Sequence, residues 1–285
     1  MLKRQTSGSV VCPSCGRLVG VKEEVCPHCG RAQPGFWGFS RTFQNLSQVM
    51  GFTQIIVGGC VVLYILTLAD DPSGIQMGGM MSMLQPSGES MYRFGASGAV
   101  PVFGYGRWWT VLSASWLHGG LLHILFNMLW VRQLAPATSR LYGPGRMMLI
   151  YLGGGAAGFI LSSWAGAYLG FLPSFLRGAY LTIGASASIF GLLGALVHYS
   201  RRAGGTAIGQ QAWTWAIVLG LFGFMMPGVD NFAHLGGFLG GYGLARWLDP
   251  LKPEKVDHLV AALVGLALSL AAVIFSVVRG LPVQG

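Results

Sequence analysis

Long apolar runs recur along this chain, and they restrict its fold more than any single motif does. They lie at about 52–69, 120–138, 147–166, 181–199, 212–227, 232–248 and 259–278. A bilayer's hydrocarbon core of roughly 30 Å is crossed by about 20 apolar residues in a helix. Charged residues make up 9% of the chain, against roughly 25% in soluble domains. So little charge cannot cover a water-facing surface, and the expectation is an all-α polytopic membrane protein. The runs at 212–227 and 232–248 are short. The second run carries Arg132 and Gln133, which must face other helices or snorkel to an interface.

Cations set the orientation. With the N-terminus placed inside, fourteen of the eighteen Lys and Arg residues fall on the inner side, among them Lys3, Arg41, Arg140, Arg146, Arg201, Arg202 and Arg246. Only Arg93, Arg107, Arg177 and Arg279 fall outside. The positive-inside rule then predicts a cytoplasmic N-terminus and an outer C-terminus in a bacterial inner or plasma membrane. The same split accounts for the net charge of +9 without nucleic acid, which is not expected as a partner. No apolar segment follows Lys3 and Arg4 closely enough to read as a secretory leader. Phe36, Trp37, Phe39 and Phe43 suit a linker or interfacial segment over 36–51. The link over 70–119 ends in Trp108, Trp109, Trp116 and Leu117, and is expected to lie partly in the interface.

Cys12-x-x-Cys15 and Cys26-x-x-Cys29, each followed by glycine, form a strong signal over residues 1–35. Four thiolates at this spacing fit a tetrahedral structural zinc, and zinc would let so short a unit fold. An inner location disfavours disulfides. His28 is a spare ligand beside a complete set. A protein partner suits the unit better than nucleic acid does.

Polar groups within membrane spans are costly and need a reason. Spans two, four and six run in the same direction. Ser186 is expected about five residues, roughly 7–8 Å, below the outer end of span four. His234 lies a few residues into span six. His123 and Asn127, four apart on one helix face, lie in the first turns of span two. A serine and a histidine at one depth are the minimum for nucleophilic catalysis, because the hydroxyl needs a base. His123 and Asn127 can donate to an oxyanion. Ala187, Gly191 and Ala195 on span four and Gly237 and Gly241 on span six would let these helices approach closely.

At these residues the sequence resembles the rhomboid family of intramembrane serine proteases. Gly184-Ala185-Ser186-Ala187 is similar to the family's Gly-x-Ser-x motif, departing from its commonest form at Ala187. Phe190 stands where the family places an aromatic on the catalytic histidine. Ala233-His234-Leu235-Gly236-Gly237 matches the sixth-helix histidine motif, and His118, His123 and Asn127 match the second-helix signature. Leu141 to Arg146 matches the turn before helix three. In Arg107-Trp108-Trp109-Thr110, threonine occupies the place of the family's loop arginine. The resemblance covers about 52–248. It implies a six-helix rhomboid-like core, with a cytoplasmic loop and a seventh C-terminal transmembrane helix over 249–285 as an addition. It further implies a Ser186–His234 dyad without Asp, an oxyanion hole from His123 and Asn127, supporting roles for His118, Gly184, Phe190 and Gly237, and no catalytic cofactor. The expected partners are transmembrane protein substrates, cut near their outer end within the lipid bilayer.

Plainer roles are expected elsewhere. Ser188 packs, His118 caps span two, Asn231 caps span six, His198 and His258 sit at the inner interface, and Cys60 is a small apolar residue. Two other functions compete: a non-catalytic rhomboid-like binder of membrane clients, and a transporter. The transporter predicts repeats and midplane polar groups, and neither is evident.

Overall fold

The computed structural model describes residues 4–39, 51–79, 82–173, 177–226 and 228–280. Lys3, Arg41 and Phe43, invoked above as cations and anchor, lie outside them. The described chain is mostly helical. Its long helices are α1 (Phe52–Asp70), α2 (Leu121–Tyr142), α3 (Pro144–Tyr168), α4 (Ser186–Arg202), α5 (Ala207–Met225), α6 (Asn231–Trp247) and α7 (Val256–Gly280). Of these, α1, α3 and α7 are by themselves long and apolar enough to cross a membrane. Arg132 and Gln133 of α2 are exposed, so they do not face neighbouring helices, which leaves the snorkelling route.

The centre of the bundle is a glycine seam between α3, α4 and α6. A methyl group at Gly237 would sit 2.1 Å from the Ala187 carbonyl oxygen, and one at Gly241 2.0 Å from that of Gly191. Gly154 of α3 meets the Cα of Gly191 in the same way, at 2.9 Å. Only glycine permits such backbone contact.

One boundary differs from the sequence reading. The chain is not helical through 181–184, Ala185 turns into the helix, and α4 begins at Ser186 rather than near Leu181. Thr182 exchanges backbone hydrogen bonds with Ser97 at 2.7 and 3.0 Å, and Gly184 N–H donates to Ala114 at 2.9 Å. Gly184 has φ +125°, which a side chain rarely tolerates. These pairings hold the segment out of the helix. At the start of α6 the cap is Asp230, whose Oδ1 accepts from Ala233 N–H at 3.0 Å. Asn231 does not cap it and instead donates to the Gly223 carbonyl. α2 starts after Gly120 with no side-chain cap, so His118 does not cap it either.

The link between α1 and α2 is folded, with short helices over Gly88–Phe94, Thr110–Ser113 and Ala114–Trp116. Arg107, only 6% exposed, fastens it: its guanidinium lies 4.2 Å from the Tyr92 ring centroid and donates to Tyr92 and Ser276 carbonyls. Trp109 Nε1 donates to Ser276 Oγ at 2.9 Å. The link is thus tied to α7 by an arginine three residues before Thr110.

At the N-terminus, β1 (Ser9–Val11) pairs antiparallel with β2 (Leu18–Gly20). Val10, Val19 and Val21 bury beside Cys12 and Cys26. The turn over Phe36–Gly38 returns to this unit, since Gln5 N–H donates to the Gly38 carbonyl at 2.8 Å.

Candidate active site and metal centre

The seam brings Ser186 of α4 and His234 of α6 together: Nε2 and Oγ are 3.0 Å apart, although the residues are 48 positions apart in sequence. His234 Nδ1 has no protein partner among the described residues. The imidazole is oriented by Phe190, one turn below Ser186. The two rings stack with centroids 4.2 Å apart and planes 14° from parallel. Gly237 lies one turn below His234 against the Ala187 carbonyl, so any side chain there would push the pair apart.

His123 of α2 reaches the same place. Gly119 N–H donates to its Nδ1 at 3.2 Å. An acceptor Nδ1 in a neutral imidazole leaves the hydrogen on Nε2. That Nε2 lies against Gly184, 2.7 Å from where a Cβ would be, which is a second reason for glycine there. Asn127 donates from Nδ2 to the His123 carbonyl at 2.7 Å, and its Oδ1 has no protein partner among the described residues. His118 is buried, with its ring edge-on to His123 at a centroid distance of 5.2 Å.

Because α4 opens at Ser186, the Ser186 N–H belongs to the first helical turn, whose donors have no intrahelical acceptor. The positive end of the helix dipole points at the same spot. Ser188, two residues into α4, is buried and donates to Ser115 Oγ at 3.4 Å, and Cys60 is fully buried. His198 is buried against Tyr142 and Tyr242. His258 accepts from Arg146 Nε at 3.1 Å, so each of these two has a packed partner.

Two residues beside the site were not singled out from sequence. Asp230, four residues before His234, accepts from Ser162 of α3; Ser162 Oγ in turn accepts from Ala179 N–H at 3.1 Å. This chain ties the start of α6 to α3 and to the segment leading to Ser186. Asp next to Asn, just before an apolar helix, was the available signal, since either can cap.

The four N-terminal cysteines converge. All four Sγ atoms lie within 4.8 Å of one another. Cys12–Cys29 and Cys15–Cys26 are each 3.8 Å apart, and none is in a disulfide. A tetrahedron with Zn–S of about 2.3 Å has edges of about 3.8 Å. The donor set therefore fits a metal ion such as zinc, with Cys12, Cys15, Cys26 and Cys29 as its holders.

A family model described as the Rhomboid domain matches residues 105–250, just over half of the chain. Rhomboid protease GluP of Bacillus subtilis (strain 168) is 34% identical over 185 residues, covering 64% of this chain and 34% of GluP. RHOMBOID-like protein 4 of Arabidopsis thaliana is 35% identical over 168 residues, covering 56% of this chain and 39% of that protein. RHOMBOID-like protein 7 of the same plant is 34% identical over 168 residues, covering 56% and 49%. The chain thus spans between a third and a half of the length of these relatives. The matched stretch carries Ser186, His234, His123 and Asn127, and together with the apolar helices it shows that this chain is an integral membrane protein belonging to the rhomboid family.

Proposed function

We propose that the chain is an intramembrane serine endopeptidase that cleaves transmembrane proteins near their outer end. The 3.0 Å contact between Ser186 Oγ and His234 Nε2 carries this reading. His234 takes the hydroxyl proton as Oγ bonds to the substrate carbonyl carbon. The carbonyl oxygen, now an oxyanion, accepts from Ser186 N–H and His123 Nε2–H, with Asn127 beside them. His234 then protonates the amine as the C–N bond breaks, leaving an acyl-Ser186 ester. Water, deprotonated by His234, hydrolyses that ester and returns the proton to Ser186. No carboxylate aligns His234 in this scheme; the Phe190 ring does so. The substrate helix must unwind locally, because its backbone carbonyls are otherwise satisfied.

In the same reading α1 to α6 are six core spans and α7 is a seventh. The N-terminus and ribbon lie inside and the C-terminus outside. The units are a zinc ribbon over 1–35, a linker over 36–51, a protease core over 52–248, and the final loop and helix over 249–285.

Fluorophosphonate labelling of the purified protein tests the nucleophile. Ser186→Ala is expected to abolish labelling, and His234→Ala to lower cleavage of a transmembrane substrate by roughly 10⁴-fold or more with the fold retained. Labelling that survives in Ser186→Ala points to another nucleophile, and failure of the wild type to label favours a client binder. Metal analysis should find zinc in the wild type and none in Cys12→Ser, with the helical core unchanged.

A further inference from the structure

At the end of the bundle away from the dyad, the C-terminal ends of α4 and α6 flank a half-open cavity of about 420 Å³ lined by His198, Arg201, Arg202, Tyr242, Arg246 and Asp249. That size lies within the range of small-molecule sites, roughly 300–1,000 Å³. We propose that this cavity binds a phosphate group, carried by the headgroup of an anionic phospholipid.

The charge is unbalanced in the required direction. Three guanidinium groups face a single carboxylate. Asp249 is 3.9 Å from Arg202 but is shared with Lys252 at 3.6 Å. Arg246 has no ion pair among the described residues. The carbonyl ends of two helices add about half a negative charge each, which still leaves positive charge in excess. Arginine's planar fork suits phosphate oxygens, and its weak hydration makes it easier to desolvate than lysine.

The floor is built rather than loose. Arg201 is held on Tyr242, with Nη1 3.4 Å from the phenol oxygen and the guanidinium 5.7 Å from the ring centroid. The His198 ring meets Tyr242 edge-on at 5.2 Å. Trp247, next to Arg246 in sequence and 88% exposed, and Leu251, 57% exposed, supply apolar surface suited to an acyl chain at the interface. In an integral membrane protein, exposed apolar side chains close in sequence to lining residues Arg246 and Asp249 favour a lipid headgroup over a free ion as the source of the phosphate. A general excess of cations on one side would scatter these arginines over the loops, whereas here they converge on one concavity.

Native mass spectrometry of the full chain from neutral detergent is the test, with phosphatidylglycerol, phosphatidylcholine of the same acyl chains, and inorganic phosphate as separate probes. The wild type is expected to retain phosphatidylglycerol about tenfold more tightly than phosphatidylcholine. The triple variant Arg201→Ala/Arg202→Ala/Arg246→Ala should bind both lipids alike. Arg246→Gln alone, exposed and without an ion pair, keeps the test standing should the triple variant misfold, and should lose part of the preference. Arg140→Ala, a cation outside the cavity, should stay within about twofold of the wild type. Equal retention of the two lipids by the wild type, or an equal loss in Arg140→Ala and Arg246→Gln, overturns the proposal. Displacement of the lipid by inorganic phosphate in the wild type supports the phosphate site and overturns the lipid as its source.

Discussion

Arg31 of the ribbon and Asp257 in the first turn of α7 are joined by two parallel N–H···O bonds. The pair links the four-cysteine unit to the bundle over 226 residues of sequence. Its neighbour His258 holds Arg146, whose guanidinium also donates to the carbonyls of Asp249, Lys252 and Pro253. Part-exposed ion pairs contribute little, about 0.2–1 kcal/mol. Asp257→Asn should therefore leave metal content unchanged and speed limited proteolysis between ribbon and bundle by about two- to fivefold. An unchanged proteolysis rate would show that other contacts hold the ribbon.

The stacked Phe190 predicts a kinetic signature. Loss of the ring frees His234 to rotate, and small misalignments of a catalytic group cost up to about 10²-fold. Phe190→Ala should lower kcat by about ten- to a hundredfold with little change in KM. Phe190→Tyr, which keeps the ring, should retain most of the rate. A rise in KM with kcat unchanged would place Phe190 in substrate binding instead.

The seam predicts a contrast between glycines of one helix. A methyl group added at Gly237 would sit 2.1 Å from the Ala187 carbonyl oxygen, whereas one added at Gly243 would meet nothing within 4 Å. Gly237→Ala should destabilise the protein by about 1–3 kcal/mol and sharply reduce serine labelling. Gly243→Ala should be close to neutral in both. Thermal melts in detergent, read beside labelling, check the pair.

Glu254, in the loop before α7, predicts a pH dependence. It accepts from Arg146 N–H at 2.7 Å, and burial raises its carboxyl above the usual value. The folded state thus holds this proton more tightly than the unfolded chain. The stabilisation is fully present below the unfolded value near 4.5 and is lost as pH rises through the higher folded value. Glu254→Gln should flatten stability over that window. A wild-type stability that instead climbs through it would contradict the sign.

The long helices could be read from the sequence because each is a local apolar run, and the observed α1 differs from its run by one residue. The positions of Ser186, His234 and His123 were legible because their costs in a membrane made them stand out. The start of α4 was not. It depends on Ser97 pairing with Thr182 and on Ala114 receiving Gly184, contacts between segments some 70 to 85 residues apart. The cap of α6 was missed by one position, since Asp230 and Asn231 carry equal local signals and only Ser162 of α3 distinguishes them. His198 looked interfacial by sequence position alone; its burial comes from Tyr142 and Tyr242 on other helices.

Where α4 and α6 touch through main chain, their spacing does not depend on any side chain's rotamer. Ser186 and His234 are therefore held at a separation that substitutions on the lipid-facing surface leave untouched, and the outer faces of both helices are free to vary with the membrane they occupy. The cost falls on the few contact glycines, where a single added carbon has no compensating partner change.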